Sequence, residues 1–486
     1  MEIFVRAWRD SNGDGHGDLR GLTQSLDYLQ DLGIKGIWLM PITRNADGDH
    51  GYAVTNFRGI DPAYGTLADF DQLLREAHKR GIGVIMDYVI NHSSDQNPLF
   101  QSAVASPASP YRDWFVWKDP APTGWDIWGK NPWYGSPTGT YYATFGADMP
   151  DFNLENTRVM DYHRDSLRFW LNRGLDGFRF DAVSHLIEKD AVEWRDQPGS
   201  YALVGNIKAL MDGYRNRYAV CESTGKPQTW APPYICGGAF AFDLNGDIVN
   251  AARGDPKAIR SVADYYQAAP ITMAAFTVNH DSFTGGRLWA HLKGDGAQYR
   301  LAAATYLLLP GTPYLYYGEE IGMAESIGPA GDTTAAKDAR VRPPMSWTAE
   351  PGKAGFTGGK PFRPLSKNAA THNVAAERQD PNSILTFYKA MLRLRNTLPS
   401  IARGSYEAPL AAGQIMGYQR KLGKEHTLVL INYGLASIIA DVPGLPGGAT
   451  LASVYPSSGG RADSDAAGTA HIPLGPQSVR VFKVLP

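Results

Sequence analysis

The sequence has little excess charge, few cysteines and no long apolar run. Its 47 Lys and Arg residues against 49 Asp and Glu residues give a formal net charge of −2. Nothing therefore attracts the chain to nucleic acid or to an anionic membrane, and we expect neither as a partner. No stretch is long and apolar enough to span a bilayer.

The chain has only two cysteines, Cys221 and Cys236. Cys221 lies inside an apolar run, which predicts a buried thiol and no disulfide framework. No signal peptide is visible, yet residues 1–5 (MEIFV) already have the character of a strand. We therefore expect that an N-terminal segment has been removed, which leaves the compartment open between the cytoplasm and the periplasm or exterior.

Short apolar runs alternate with helical patterns over nearly 400 of the 486 residues. Counting the truncated first strand, this alternation predicts an α/β fold, a (β/α)8 TIM barrel. A doubly wound open sheet is the competing fold, but no Gly-rich phosphate turn follows the first strand. The other strand candidates are residues 34–41, 84–90, 177–183, 217–223, 239–243, 272–279 and 313–318.

Two regions interrupt this alternation. Residues 91–155 lack helical periodicity and are rich in Trp, Tyr, Pro and Gly, which indicates a small domain inserted after the third strand. Residues 401–486 contain short strand patterns separated by Gly and Pro clusters, which predicts an all-β sandwich domain. The barrel would then comprise residues 1–90 and 156–400.

Charged and polar side chains follow the ends of several predicted strands, where a barrel enzyme carries its chemistry. A single acid is most often a solvated loop residue, but so many at one edge favour a site. The residues are Asp87, Asn91, His92, Arg179, Asp181, Glu222, His280 and Asp281.

These residue types suit the cleavage of a glycosidic bond. Retaining cleavage needs two carboxyl groups about 5–5.5 Å apart, one as the nucleophile and one as the acid and then the base. Arg179 and Asp181 share one face of a strand, so the guanidinium would keep Asp181 ionised as a nucleophile. Glu222 follows an apolar stretch, and partial burial would raise its pKa, as a general acid requires. Asp281 can stabilise a positive, oxocarbenium-like transition state.

Four sequence blocks together resemble the α-amylase family, glycoside hydrolase family 13. In the family they carry the nucleophile, its arginine, the acid/base, the stabilising aspartate and two sugar-binding histidines, here His92 and His280. The resemblance extends from about residue 2 to the end and implies an inserted domain B and a Greek-key domain C. The blocks are residues 87–92 (DYVINH), 177–185 (GFRFDAVSH), Glu222 after Val-Cys, and 276–281 (FTVNHD).

A fifth block, residues 149–154 (MPDFNL), resembles the subgroup intermediate between the oligo-1,6-glucosidase and neopullulanase types. That subgroup contains amylases and α-glucosidases. Residues 50–57 (HGYAVTNF) depart from the HGYDxTDY of the family, because Ala53 and Asn56 replace acids. Tyr52, which resembles the residue that stacks on the cleaved sugar, is retained.

The resemblance also bears on specificity. Ala182 follows the nucleophile where members that cut α-1,6 bonds typically have Val, which implies α-1,4 bonds, as in maltose and malto-oligosaccharides. Asp49, three residues before Tyr52, and Arg342, before residues 344–347 (PMSW), resemble the pair with which exo-acting members hold O4 and O6 of the terminal sugar. The equally weighted alternative is that Asp49 is an ordinary loop residue and Arg342 an ordinary surface residue, with no part in binding. We expect an exo-acting α-glucosidase, with an endo-acting α-amylase or α-glucanotransferase as alternatives.

Residues 10–18 (DSNGDGHGD) alternate oxygen-bearing side chains with glycines. Such a loop could hold a hard cation such as Ca²⁺, although it is not an EF-hand, because Gly21 stands where the bidentate Glu would be. By resemblance to the oligo-1,6-glucosidase branch, we expect a structural Ca²⁺; a metal-free turn is the alternative. The candidate ligands are the side chains of Asp10, Asn12, Asp14 and Asp18 and the carbonyl of His16.

Two other classes of protein are less consistent with the sequence. A non-catalytic sugar-binding accessory protein on the same barrel would lack one or more catalytic acids, and all three are present here. A metal-dependent barrel hydrolase would need clustered histidine and carboxylate ligands, and the two histidines are too few. We therefore expect α-glucan oligosaccharides as partners; the sequence carries no signal for an oligomeric state.

Overall fold

The computed structural model describes residues 1–328 and 333–485, so Pro486 of the expected C-terminal domain lies outside the described residues. The chain divides into two compact units, residues 1–27 with 35–240 and residues 28–34 with 241–486. Among the described residues, no helix combines the length and the apolar character needed to cross a membrane.

The first unit is built on a parallel sheet whose strands follow the order β1-β2-β5-β9-β10-β11. The segment at the start of the chain pairs with β2, as its strand-like sequence predicts. The strands of the first 240 residues are β1 (Glu2–Ile3), β2 (Gly36–Leu39), β3 (Thr43–Asn45), β4 (Val54–Ile60), β5 (Gly83–Tyr88), β6 (Trp117–Lys118), β7 (Trp133–Ser136), β8 (Gly139–Tyr142), β9 (Gly177–Phe180), β10 (Tyr218–Cys221) and β11 (Ala239–Phe240).

Helix α4 shows how local residues set the ends of a helix. Thr66 and Asp69 form a capping box at the start of α4, and Gly81 (φ 68°) closes the turn after it. The helices of this part are α1 (Val5–Trp8), α2 (Leu19–Gln24), α3 (Leu26–Leu32), α4 (Leu67–Lys79), α5 (Pro98–Ala105), α6 (Thr157–Asn172), α7 (Pro198–Asp212) and α8 (Pro227–Trp230).

Residues 91–155 contain helix α5 and a small antiparallel sheet of order β6-β8-β7. This segment is joined to the end of β5 by polar contacts. Asn91 donates to Oδ2 of Asp151 at 3.0 Å, and His92 and Asp151 form an isolated antiparallel bridge. The inserted segment is therefore fixed next to the strand end that carries Asp87.

Cys221 and Cys236 form a disulfide bond, with their Cα atoms 6.2 Å apart. The expectation of a free buried thiol is therefore wrong. After β10 the chain makes an excursion and returns at Gly238, whose carbonyl accepts the N–H of Cys221 at 3.0 Å. Ala239 pairs with Cys221 in the sheet, and this pairing brings the second cysteine back to the first.

The second unit continues with helices and ends in antiparallel sheets. One sheet has the order β13-β14-β15-β20-β17-β18, and β16 pairs with β19. The helices are α9 (Asn245–Ala252), α10 (Pro256–Ala268), α11 (Leu288–His291), α12 (Gly296–Leu308), α13 (Thr334–Val341), α14 (Val374–Glu377), α15 (Ile384–Thr397) and α16 (Pro399–Arg403). The strands are β12 (Met273–Ala274), β13 (Glu407–Ala412), β14 (Ile415–Leu422), β15 (Glu425–Asn432), β16 (Ile438–Val442), β17 (Thr450–Tyr455), β18 (Arg461–Asp463), β19 (Ala470–Leu474) and β20 (Ser478–Leu485).

The strand expected at residues 313–318 is not a regular strand. Proline has no N–H to give to a sheet ladder, and the segment begins at Pro313. The N–H of Tyr314 donates to the carbonyl of Ala275 at 2.8 Å, which places the segment beside the residues that follow β12.

Candidate active site

The carboxyl ends of three adjacent strands place the predicted acids side by side. Asp87 of β5 is in register with Arg179 of β9. Asp181 directly follows β9, and Glu222 directly follows the neighbouring strand β10. The parallel register therefore brings the acids of three separate sequence blocks to one edge of the sheet.

Arg179 is the centre of this group, with 1% of its side chain exposed. It bonds Oδ1 of Asp87 at 2.9 Å and Oε2 of Glu222 at 2.8 Å, and it also contacts Asp181. Burial alone would lower the pKa of Arg179, but the charges of Asp87 and Glu222 raise it well above its ordinary value. The guanidinium is thus a permanent positive charge among three carboxyl groups.

One guanidinium cannot neutralise three buried carboxylates, so protons are retained in the group. Burial raises the pKa of Glu222 to about 7, against the lowering effect of Arg179 and with the support of Asp181. Burial likewise raises the pKa of Asp87 to about 8. Glu222 can therefore carry a proton near neutral pH, as a general acid must.

Asp87 is held by two aromatic residues as well as by Arg179. Its Oδ2 accepts from the indole of Trp38 at 3.2 Å and from the hydroxyl of Tyr52 at 3.0 Å. The Arg179 guanidinium lies 5.1 Å from the Trp38 ring centroid. These contacts fix the orientation of Arg179 and place the predicted stacking residue Tyr52 next to the acids.

Ala182, directly after Asp181, has a left-handed backbone conformation (φ 49°). Its N–H donates to Oε2 of Glu222 at 3.1 Å, and the N–H of Val183 donates to the carbonyl of Glu222 at 3.2 Å. A non-glycine residue with this backbone is unfavourable, and such residues concentrate at functional sites. Here the conformation turns two N–H groups onto the candidate acid/base.

The loop that carries Asp49 and Tyr52 folds around the carboxylate of Asp47. That carboxylate accepts the backbone N–H groups of Asp49 at 2.8 Å, Gly51 at 2.9 Å and Ala53 at 2.9 Å. Burial alone would raise the pKa of Asp47, but His50 and these N–H groups hold it below its ordinary value. Asp47 belongs to none of the recognisable sequence blocks, although it lies only two residues before Asp49.

His92 is buried at the start of the inserted segment, and its ring lies 5.2 Å from Phe145. Burial lowers the pKa of His92 to about 3, so the imidazole is neutral. Neither ring nitrogen has a hydrogen-bond partner among the described residues. The ring can therefore donate to, or accept from, a hydroxyl group of a ligand.

His280, Asp281 and Arg342 lie in the second unit and form a group of their own. Nε of Arg342 donates to the carbonyl of His280 at 2.8 Å, and Nη2 contacts Oδ1 of Asp281 at 3.1 Å. Arg342 also contacts Asp338 at 3.4 Å, and His280 lies 3.2 Å from Oδ2 of Asp281. Arg342 therefore orients Asp281, a function that its sequence position did not predict.

Comparison with known proteins identifies the family. The catalytic domain of alpha-amylase matches residues 2–404. The chain belongs to the alpha-amylase family.

Individual members of the alpha-amylase family resemble this chain along most of its length. Alpha-amylase 3 of Dictyoglomus thermophilum is 34% identical over 447 residues, which cover 89% of this chain and 83% of the relative. A probable alpha-glucosidase of Rhizobium meliloti is 30% identical over 499 residues, which cover 91% and 90%. The crystal structure of alpha-amylase from H. orenii matches with a TM-score of 0.82 and 29% identity over 99% of this chain and 98% of that one. The chain is thus an alpha-amylase-family glycosidase, and the expected barrel with a C-terminal β domain is confirmed.

The loop at residues 10–18 carries carboxylate, amide and carbonyl oxygens, the ligands that a hard cation prefers. The Asp10 carboxylate accepts N–H groups of Asn12 at 2.9 Å, Gly13 at 2.7 Å and Gly15 at 2.8 Å. Asp18 accepts from the N–H of Gly21 at 2.7 Å and caps helix α2. Across residues 1–328 and 333–485, no three His, Cys, Asp or Glu side chains are grouped so that they could hold a metal ion.

Proposed function

We propose that this protein is a retaining α-glucosidase that cleaves α-1,4 bonds of maltose and short malto-oligosaccharides from the non-reducing end. The observation that carries the proposal is the buried group around Arg179, which contains an arginine-paired Asp181 beside a Glu222 whose pKa is raised to about 7. One carboxylate is thereby paired with a positive charge, and the other carries a proton near neutral pH, as two-step retaining cleavage requires.

In the proposed first step, Asp181 attacks the anomeric carbon while Glu222 gives its proton to the glycosidic oxygen. The bond from the anomeric carbon to that oxygen breaks, and a β-glucosyl ester of Asp181 forms. In the second step Glu222 removes a proton from water, which attacks the same carbon and releases Asp181. Two inversions give the product the α configuration of the substrate.

Three further residues assist these steps in the proposal. Asp281, which Arg342 and His280 hold in place, stabilises the positive charge of the transition state. Neutral His92 bonds a sugar hydroxyl, and Tyr52 packs against the face of the cleaved sugar.

Exo action rests on the proposed clamp of Asp49 and Arg342 on O4 and O6 of the terminal glucose. A chain extending beyond this glucose would leave buried polar groups without partners, which is unfavourable. Asp49→Ala is the cleaner test of the clamp, because Arg342 also orients Asp281. We expect the variant to lose about 1.5–3 kcal/mol of transition-state stabilisation on maltose.

Product analysis on maltose, maltotriose and soluble starch, with the anomers followed by NMR, tests the proposal. We expect glucose as the main product, released first as the α-anomer, and slow attack on starch. Release of the β-anomer would contradict retention. Release of maltose and longer fragments from starch, with good cleavage of substrates blocked at the non-reducing end, would favour an endo-acting alpha-amylase, the activity named for two of the similar proteins.

We also propose a structural Ca²⁺ held by the side chains of residues 10, 12, 14 and 18 and the carbonyl of His16. When bound, the ion would order the loop by neutralising its carboxylates; no catalytic step uses it. A chelator should lower the melting temperature before it changes the rate at moderate temperature. A melting temperature that does not respond to chelator and added Ca²⁺ would contradict the proposal.

A further inference from the structure

An exposed tryptophan occupies a position in the inserted segment that tryptophan does not favour. Residues 127–130 form a tight turn in which the N–H of Ile127 bonds the carbonyl of Lys130 at 2.8 Å and the reverse bond is 3.0 Å. The two central residues, Trp128 (φ 50°) and Gly129 (φ 81°), both have positive φ. Turns of this kind favour Asn-Gly or Asp-Gly. A positive φ is therefore unfavourable for the bulky Trp128.

A buried residue and a side-chain hydrogen bond hold the turn in place, while its tryptophan is exposed to solvent. Ile127 is buried in a small apolar cluster with Trp133 and Tyr142. The N–H of Gly129 donates to Oδ1 of Asp126 at 2.6 Å. The Trp128 residue is nevertheless 58% exposed. Of the inserted tryptophans at positions 125, 128 and 133, Trp128 is the exposed one.

Other aromatic rings hold the indole at a set angle. His185 and Trp194 are stacked with an interplanar angle of 11°. Trp128 meets His185 at 78° and a centroid distance of 5.3 Å, and it meets Trp194 at 89° and 5.5 Å. The ring centroid of Phe145 lies 5.8 Å from that of Trp128. The indole is thus positioned before any ligand binds, which reduces the entropy lost on binding.

This aromatic group is continuous with the candidate catalytic residues. His185 comes four residues after Asp181, in the segment whose Ala182 and Val183 N–H groups bond Glu222. The general acid protonates the departing oxygen, so the leaving sugar lies on the side of Glu222. Trp128 contacts His185, and so it adjoins the segment whose N–H groups bond the general acid.

We propose that Trp128 is a sugar-stacking platform that binds the leaving glucose unit and any incoming acceptor sugar. The inference rests on the proposed function and adds a residue that determines specificity for it. The flat apolar face of an indole suits the C–H face of a pyranose ring, and the turn presents that face without rearrangement.

The platform also affects the fate of the glucosyl ester on Asp181. With an acceptor sugar bound, Glu222 removes the proton of an acceptor hydroxyl, whose oxygen forms the new bond to the anomeric carbon as the bond to Asp181 breaks. With the platform vacant, water takes this place. Trp128 therefore raises the ratio of transfer to hydrolysis when acceptor sugar is abundant.

The test compares the wild type with Trp128→Asn, which removes the indole and supplies a residue that favours the left-handed turn. α-Glucosyl fluoride has no leaving sugar, so kcat/KM for its hydrolysis should stay within about twofold of wild type. With maltotriose, kcat/KM should fall about tenfold, as expected for one lost aromatic contact. The ratio of transfer to hydrolysis with added maltose should fall by about as much. The melting temperature should stay the same or rise.

Tyr234→Ala is the matched control, because Tyr234 is 76% exposed and lies outside the aromatic group; it should behave as wild type in all three assays. If Trp128→Asn has the wild-type kcat/KM on maltotriose and the wild-type ratio of transfer to hydrolysis, the proposed platform is wrong. An equal loss on glucosyl fluoride would also overturn it, since the indole would then act on the catalytic group itself. A wild type that does not hydrolyse glucosyl fluoride would instead refute the proposed function.

Discussion

Arg179 allows neighbouring buried carboxyl groups to differ in protonation. Its guanidinium contacts Asp87, Asp181 and Glu222, so its single positive charge faces three acids. The sequence predicted Arg179, Asp181 and Glu222, because each lies in a recognisable block at a strand end. It did not predict that Trp38 and Tyr52 hold Asp87, since contacts between side chains far apart in sequence follow from packing and leave no local pattern.

The raised pKa of Glu222 predicts the pH dependence of the rate. Glu222 must be protonated to act as the acid, and its pKa in the free protein is about 7. On maltose, kcat/KM should therefore fall as the pH rises above about 7. A substrate that needs no proton donor, such as glucosyl fluoride, should show no such fall in its glucosylation step. An alkaline limb of equal size on both substrates would contradict the assignment of the acid.

At the scale of elements, the disulfide joins the end of β10 to the returning chain directly beside Glu222. The sequence could not predict it, because the pairing depends on where the excursion after β10 returns, and Gly238 and Ala239 determine that point. The ends of helix α4 follow from local signals, the capping box of Thr66 and Asp69 and the glycine at position 81. The apolar composition of residues 313–318 led to the prediction of a strand. The segment is irregular, because Pro313 has no N–H to give to a sheet ladder.

Removing the disulfide should lower the free energy of unfolding and leave the fold intact. Closing a loop with a sequence separation of 15 stabilises by about 3 kcal/mol in the chain-entropy estimate. The double variant Cys221→Ala/Cys236→Ala should show a reduced free energy of unfolding in urea. It should also show a shifted alkaline limb, because the backbone that carries Glu222 loses a constraint. A variant with unchanged stability and pH profile would indicate that the bond has no structural role.

At the scale of the whole molecule, buried acids of the second unit connect stability to pH. Burial raises the pKa of Glu319 to about 7, although hydrogen bonds from Tyr388, Tyr306 and Thr277 lower it. Burial raises the pKa of Glu320 to about 7 as well, against the lowering effect of its bond from Tyr28. Both groups bind protons more tightly in the folded than in the unfolded chain.

Stability should therefore fall as the pH rises from about 4.5 to about 7, since the folded state holds more protons in this window. Each group contributes up to about 3 kcal/mol, present in full below the lower pKa and lost as the pH passes the upper one. Glu320→Gln should flatten the dependence of the unfolding free energy on pH, whereas a change at exposed Glu350 should leave it unaltered. A wild type whose stability rises steadily across this window would contradict the assignment.

Covalent trapping tests the central claim, that Asp181 is the nucleophile and Glu222 the acid/base. Glu222→Gln should still react with α-glucosyl fluoride, because fluoride leaves without a proton donor, but it lacks the base that would activate water. A glucosyl ester should accumulate, and mass spectrometry of an acidic digest should find one glucosyl group on the peptide containing Asp181. The double variant Asp181→Asn/Glu222→Gln should carry none. Fluoride release with that peptide unmodified, or with the glucosyl group on another residue, would contradict the account.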